Sequence, residues 1–223
     1  MWTSNQVSTS LAVHPCLSVN QTICTNTLNG CGGPNSTSGT CDYDGCDFNP
    51  YQLGNKTFFG PGLTIDTTKV FTVVTQFIGN PLTEINRFYI QYGVTTPNPA
   101  SEIISVKGNS ITPAFCTEEL AAFKEVNSFG DFGGFASITA AFTKGMVLAF
   151  AVEGNYFGNG TQWLDGTYPF GIPATVEGAV RGPCAVNEAS TDPVGNNAGA
   201  TFSNIRIGAI NSTTYGDGIV PGR

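Results

Sequence analysis

Five of the seven cysteines fall between Cys16 and Cys46, and the last two of these lie in the stretch Cys41-Asp42-Tyr43-Asp44-Gly45-Cys46-Asp47-Phe48-Asn49-Pro50-Tyr51. Residues 1–69 carry little hydrophobic periodicity and much Gly, Asn and Thr, so they read as loops held by covalent ties rather than by a ladder. Two cysteines five apart, three carboxylates and a Pro-Tyr exit make a tethered polar surface feature, followed at once by the strand pattern Phe71–Ile78. This is loop chemistry mounted on a sheet. Cysteine use of this kind belongs to an oxidising compartment, and a single histidine leaves a zinc finger little to work with.

Charged residues make up only 11% of the chain, while Gly (28) and Pro (13) are plentiful, which favours many short strands and turns over charge-laced helices. A net charge of -7 leaves no basic footprint for nucleic acid or anionic lipid. The longest clean apolar run, Met146–Val152, is far short of the ~18 residues of a membrane span, so no membrane partner is expected. Sequons at Asn20, Asn35, Asn55, Asn159 and Asn211 fit a secreted surface. Met1–Thr9 is polar and uncharged, unlike a secretory leader, and the start reads as internal.

Along the chain, Phe71–Ile78 is apolar on both sides, as in a central strand of a packed sandwich. Glu84–Tyr92 sets Phe88, Ile90 and Tyr92 toward a core, and Arg87, Tyr89 and Gln91 toward something wet. Thr117–Val126 is expected as a helix capped by Thr117, and Phe135, Ile138, Ala141 and Phe142 as a second, stopping at Lys144-Gly145. Met146–Gly154 and Thr201–Ile210 alternate as strands, and Gly216–Arg223 has no pattern.

The Cys41–Tyr51 stretch, the run Gly54-Asn55-Lys56-Thr57-Phe58-Phe59-Gly60-Pro61-Gly62 and Asp66-Thr67-Thr68-Lys69 through Phe77 together resemble the family 7 glycoside hydrolases, the fungal cellobiohydrolases and endoglucanases. The likeness also takes in His14-Pro15-Cys16, Arg87–Gln91, Met146-Val147-Leu148, Trp163-Leu164-Asp165, Tyr168-Pro169, Arg181–Cys184 and Phe202–Ile205. It implies an all-β fold, a concanavalin-like curved antiparallel β-sandwich (jelly roll) with long disulfide-tied loops and short helices. Residues 1–213 would be the C-terminal half of one catalytic domain, so an incomplete fold, and 214–223 an irregular tail.

The resemblance further implies the pairs Cys16–Cys41, Cys24–Cys31 and Cys46–Cys116, and gives Cys184 a partner in the family's N-terminal half, so that it is expected to carry no disulfide within this chain. Family members are retaining β-1,4-glucanases whose catalytic groups sit on one strand as Glu-x-Asp-x-x-Glu, the last Glu following a Trp. Side chains two apart on a strand share a face, and retention needs carboxylates about 5–5.5 Å apart. Counting back from His14, Trp2 falls on that Trp and Thr3 on the acid/base Glu, with the nucleophile before Met1. A threonine hydroxyl cannot protonate a departing sugar at neutral pH, so no catalytic set is intact and the chain alone is expected to be inactive. A mis-set gene start, a real loss of catalysis and an alignment slip all remain open for Thr3.

Binding residues fare better. Trp163 resembles the family's stacking platform beyond the cleavage point, against the plainer reading of a core Trp. His14, Asp44, Tyr168 and Arg181 match positions near the cleavage and product side, where their donors and acceptors would meet sugar hydroxyls. Three departures weigh on the cleft: Glu153 stands where the family stacks a Trp on the other side of the scissile bond, Gln52 replaces an Arg, and Pro34–Thr40 is short and lacks an Arg. The short Pro34–Thr40 segment suggests an open, endoglucanase-like groove. Asp42, Asp44 and Asp47 read as loop-capping groups rather than as a relocated dyad, and Asp42-Tyr43-Asp44-Gly45 fails as a calcium loop for want of Gly at the sixth position and Glu at the twelfth. The expected partner is a β-1,4-glucan or cello-oligosaccharide, met by a monomer with no cofactor, no metal and no nucleic acid. The rivals are a non-catalytic, lectin-like glucan binder and a pseudogene product with no stable fold.

Overall fold

The computed structural model describes residues 7–18, 20, 39–151, 162–169, 171–184 and 200–214. Strands β1 (Leu11–Val13) and β2 (Cys46–Phe48) pair antiparallel, with Val13 opposite Cys46. β3 (Phe59–Gly60) and β4 (Ile65–Asp66) form a short parallel pair. β5 (Thr72–Ile78), β6 (Glu84–Gln91) and β7 (Val94–Pro97) make an antiparallel sheet in that order. Helices α1 (Pro113–Ala122), α2 (Ser128–Asp131), α3 (Gly134–Lys144) and α4 (Gln162–Asp165) complete the described elements.

The main core lies between the β1–β2 ribbon, β6 and the helices. Phe48, Leu53, Ile85, Ile111, Phe115, Leu120 and Phe135 are all buried in it. The Phe48 and Phe115 rings stack with centroids 5.3 Å apart, and the Cys46–Cys116 disulfide ties β2 to α1 beside them. Burying each such side chain stabilises the fold by about 1.5–3 kcal/mol. Cys16 and Cys41 are bonded at the mouth of the polar loop. Cys24 and Cys31 lie outside the described residues.

α1 begins five residues earlier than its acidic first turn suggests. Thr112, not Thr117, is the N-cap: its hydroxyl accepts from the Phe115 N–H at 3.1 Å, and Pro113 occupies the first turn, where its missing N–H costs nothing. Thr117 sits inside the helix and donates to Pro113 O at 3.0 Å. The buried face is Phe115, Cys116, Glu119 and Leu120, one helical stripe with a carboxylate in it.

β6 also departs from expectation. The face carrying Arg87, Tyr89 and Gln91 is not wet, because the loop through β3 and β4 folds over it. Tyr89 is 1% exposed, packed among Phe58, Phe59, Ile65 and Phe71. The Gln91 amide bonds both backbone groups of Asp66, accepting from its N–H at 3.0 Å and donating to its carbonyl at 2.9 Å. β5 lies at an edge of its sheet among the described residues, with Phe77 half exposed, rather than in its centre. Residues 146–151 and 201–208 form no strand despite their alternation, while 152–154 lie outside the described residues. Among the described residues no strand lies alongside them to turn alternation into a ladder.

Candidate functional site

The polar loop that follows Cys41 is fixed from three sides. Asp42 N–H donates to Pro15 O at 2.8 Å, and the Ser128 hydroxyl donates to Asp42 Oδ1 at 2.7 Å, so Asp42 is a buried capping group. Gly45 has φ +77°, and a Cβ there would lie 2.6 Å from His14 Cε1; only glycine lets the loop close against the imidazole. His14 Nδ1 stands 3.2 Å from Asp42 O, and the ring itself is exposed.

Beyond Gly45 the chain enters β2, and Asp47 and Asn49 turn inward. Asn49 is fully buried and acts as a clamp. Its amide donates to Leu164 O at 3.2 Å and to Arg181 O at 2.9 Å, and its carbonyl accepts from the N–H groups of Tyr51 at 2.9 Å and Gln52 at 3.3 Å. Ser8 donates to the same two carbonyls, at 2.8 Å and 3.1 Å. The segments carrying Trp163, on α4, and Arg181 are thereby held to the polar loop. They are also joined to each other, since Arg181 N–H donates to Gly166 O at 2.8 Å and Tyr168 N–H to Ala179 O at 2.9 Å. A Cβ on Gly182 would lie 2.4 Å from the Asp165 backbone, so that approach needs glycine as well.

Beneath lies a buried ionic group. Arg181 pairs with Asp47, whose other oxygen accepts from Ser10 Oγ at 2.8 Å, and reaches Glu125 Oε1 at 3.9 Å. Glu119, on α1, is buried beside them, with neither carboxylate oxygen hydrogen-bonded among the described residues. Burial, then the Asp47 and Glu125 charges, push its carboxyl well above the ordinary range against the pull of Arg181. Burial raises Glu125 in the same direction, with Arg181 opposing. For Arg181, burial acts to lower the pKa, but Asp47 and then the two glutamates outweigh it and the guanidinium is held charged.

Above this floor, Asp44 reaches solvent, and partial burial followed by the Asp42 charge raises its carboxyl, with His14 opposing. The Tyr168 hydroxyl is raised by burial and then by Asp44 and Tyr43, against Arg181. His14, Asp44, Tyr168 and Arg181 thus share one electrostatic neighbourhood, with Arg181 as the base of it rather than an open contact. Trp163 is half-buried on α4, on a segment pinned by Asn49 and Ser8. Thr3 and Glu153 lie outside the described residues. Gln52, buried where an Arg was expected, donates to Gly178 O at 3.1 Å and so supports the loop that leads to Arg181. Such a surface offers imidazole, carboxyl and hydroxyl donors and acceptors, the chemistry that recognises an uncharged polyol. Among the described residues no three His, Cys, Asp or Glu side chains converge as a metal site, and no helix is long and apolar enough to cross a membrane.

Asn49, Glu119, Glu125 and Ser8 were not legible as site residues. The signal for Asn49 was its place before Pro50, which forbids helix and favours an Asx turn. Glu119 carried no signal beyond its position on the apolar stripe of α1.

The glycosyl hydrolase family 7 model matches residues 1–214. Among solved structures, a family 7 cellobiohydrolase from Daphnia pulex is similar at 33% identity and TM-score 0.77, over 85% of this chain and 44% of its own. A Melanocarpus albomyces cellobiohydrolase complexed with cellotetraose matches at 31% identity and TM-score 0.70, over 81% of this chain and 41% of its own. The Humicola insolens endocellulase EGI matches at 28% identity and TM-score 0.65, over 82% and 42%. The chain belongs to glycosyl hydrolase family 7, and its fold is that family's β-sandwich with short helices. It spans less than half the length of these structural relatives.

Proposed function

We propose that this chain is part of a secreted cellulose-type β-1,4-glucan hydrolase of the retaining kind, acting as a monomer, with residues 1–213 as the C-terminal half of the catalytic domain and 214–223 as a tail. In that reading it supplies the product-side surface, where Trp163 stacks on a glucose ring and His14, Asp44 and Tyr168 bond its hydroxyls over the Asp47–Arg181 pair. The observation that carries the reading is the convergence of His14, Asp44 and Tyr168 on one exposed, partly desolvated neighbourhood from three distant parts of the sequence. The cellotetraose bound to the Melanocarpus albomyces relative supports the ligand class. Glu153 would face the departing side.

Thr3 stands at the acid/base position and the family's nucleophile has no counterpart in these residues, so the chain by itself would bind glucan and not cleave it. A second reading is a non-catalytic glucan-binding protein. Calorimetric titration with cellotetraose, paired with a reducing-end assay, tests both. Binding that Trp163→Ala weakens about fivefold or more, with no reducing ends released, fits the proposal. Turnover by this chain alone sinks the inactivity, and no binding at all sinks the glucan reading. Release of reducing ends once a complementary family 7 polypeptide is added would favour the hydrolase over the lectin-like alternative.

A further inference from the structure

α1 ends in a left-handed turn that does not use glycine. The N–H of Lys124 donates to Ala121 O at 3.3 Å and that of Glu125 to Leu120 O at 2.8 Å, the two bonds of a Schellman motif. The residue in its left-handed position is Lys124, at φ +59°, where glycine is the usual occupant. Phe123 fixes this turn against the segment that leads to Arg181: a Cβ on Gly178 would lie 2.1 Å from the Phe123 ring, so the two fit together only through that glycine. The turn delivers Glu125 to the side of the polar site, with Oε1 3.9 Å from Arg181 Nη1.

Glu125 is the carboxyl of the ionic group that reaches water. Its side chain is 31% exposed, against 9% for Asp47, while Glu119 is buried. At 3.9 Å it is too far from the guanidinium for a hydrogen bond, and its carboxyl makes none among the described residues, which leaves both oxygens able to meet a ligand hydroxyl. Arg181 attracts it, and Asp47 from β2, Glu119 from α1 and Asp44 from the polar loop repel it, with the Tyr168 hydroxyl also in electrostatic reach. Burial, opposed by Arg181 and reinforced by Asp47 and Asp44, raises its carboxyl, and Asp44 is raised by its own partial burial. An uncharged sugar laid between Asp44 and Glu125 takes water from both and strengthens their repulsion, while the one cation that opposes it is already paired with Asp47. One proton taken from the buffer relieves both carboxyls.

Resting on the glucan reading above, we infer that Glu125 contacts the bound glucan directly and that occupation of the site places one proton on the Asp44–Glu125 carboxyl pair. The protonated carboxyl donates to a sugar oxygen and the other carboxyl accepts from sugar hydroxyls, so the pair serves both halves of a polyol's hydrogen-bonding capacity. The sign follows from linkage: the pair holds its proton more tightly with ligand than without, so affinity is greatest at low pH and falls as pH rises through the titration of the free pair.

The test is calorimetric titration of the full 223-residue protein with cellotetraose from about pH 4.5 to about pH 7, in paired buffers of low and high ionisation heat. The binding heat is expected to differ between paired buffers, and the dissociation constant to be at least ~threefold weaker at the top of the range than at the bottom. Glu125→Gln should flatten that profile and remove the buffer difference, and Asp44→Asn should do the same by taking away the other half of the pair. Glu125→Ala should weaken binding at least ~threefold even at about pH 4.5, where the loss is that of a contact and not of a charge. Amide exchange in α1 and β6 verifies that each variant is folded. Should a variant lose that protection, the titration of the Glu125 carboxyl carbon resonance with and without cellotetraose decides instead, an upward shift upholding the inference and no shift overturning it. A dissociation constant that is level across pH, or a profile that persists in Glu125→Gln and so belongs to His14, overturns the inference and leaves the glucan reading standing. No binding at any pH sinks that reading and this inference with it.

Discussion

Arg181 and Asp47, 134 residues apart, form a buried ion pair that closes the floor of the polar site. Three carboxyl groups crowd this one guanidinium, and burial with the neighbouring charges raises the pKa of one of them, Glu119, well above the ordinary range. Positioning of the exposed residues rests on this pair and on Asn49, which bonds the carbonyl of the same arginine.

Replacing Arg181 by Met should therefore cost more than its packing. Asp47 would be left charged and buried with the Ser10 hydroxyl still donating to it, a loss of about 3–5 kcal/mol. Denaturant midpoints at constant slope measure it; a loss below about 1 kcal/mol would show that the pair is solvated in solution.

Asn49→Asp keeps the shape and removes the donors. A carboxylate would then face Leu164 O and Arg181 O, so the substitution should destabilise by about 2–4 kcal/mol and exceed Asn49→Ala. Thermal melts of the two variants side by side give the order, and the reverse order would contradict the clamp.

Glu119 sets a pH dependence with a definite sign. Its folded-state pKa lies above the ordinary value of 4.5, so its contribution to stability is complete below that pH and is lost as pH rises through the folded value. Glu125 and Asp44 act in the same direction. Glu119→Gln should flatten the decline above about pH 4.5 and raise stability at neutral pH, as followed by urea unfolding across pH. An unchanged slope would mean that Glu119 ionises freely in the fold.

Gly45→Ala should displace His14. The added Cβ meets the imidazole at 2.6 Å and the Val13 carbonyl at 2.9 Å in a left-handed conformation, at a cost of about 1–2 kcal/mol. Because the chain has one histidine, a single imidazole resonance reports the shift. That resonance should move while α1 keeps its exchange protection.

Much of the scaffold was legible. β5, β6 and α3 follow from alternation, helical spacing and the stop at Lys144-Gly145, and the family pattern of the Cys41–Tyr51 loop is local in sequence. Errors came where a local signal had two readings. Thr112-Pro113 and Thr117-Glu118 both resemble a helix start, and the first prevails because Phe115 and Leu120 must both reach the core.

The sequence by itself determined the polar loop and its cysteines and the apolar periods of β5, β6 and α3, because these depend on neighbours a few positions away. Only the tertiary structure decided which face of β6 is wet, which aspartates are buried, and that Asn49 and Glu119 belong to the site. Those outcomes depend on what folds over each side chain from distant segments: the β3–β4 loop over Tyr89, Ser128 over Asp42, Arg181 beside Asp47. Burial sets both the cost of a charge and its proton, and no short stretch of sequence encodes it.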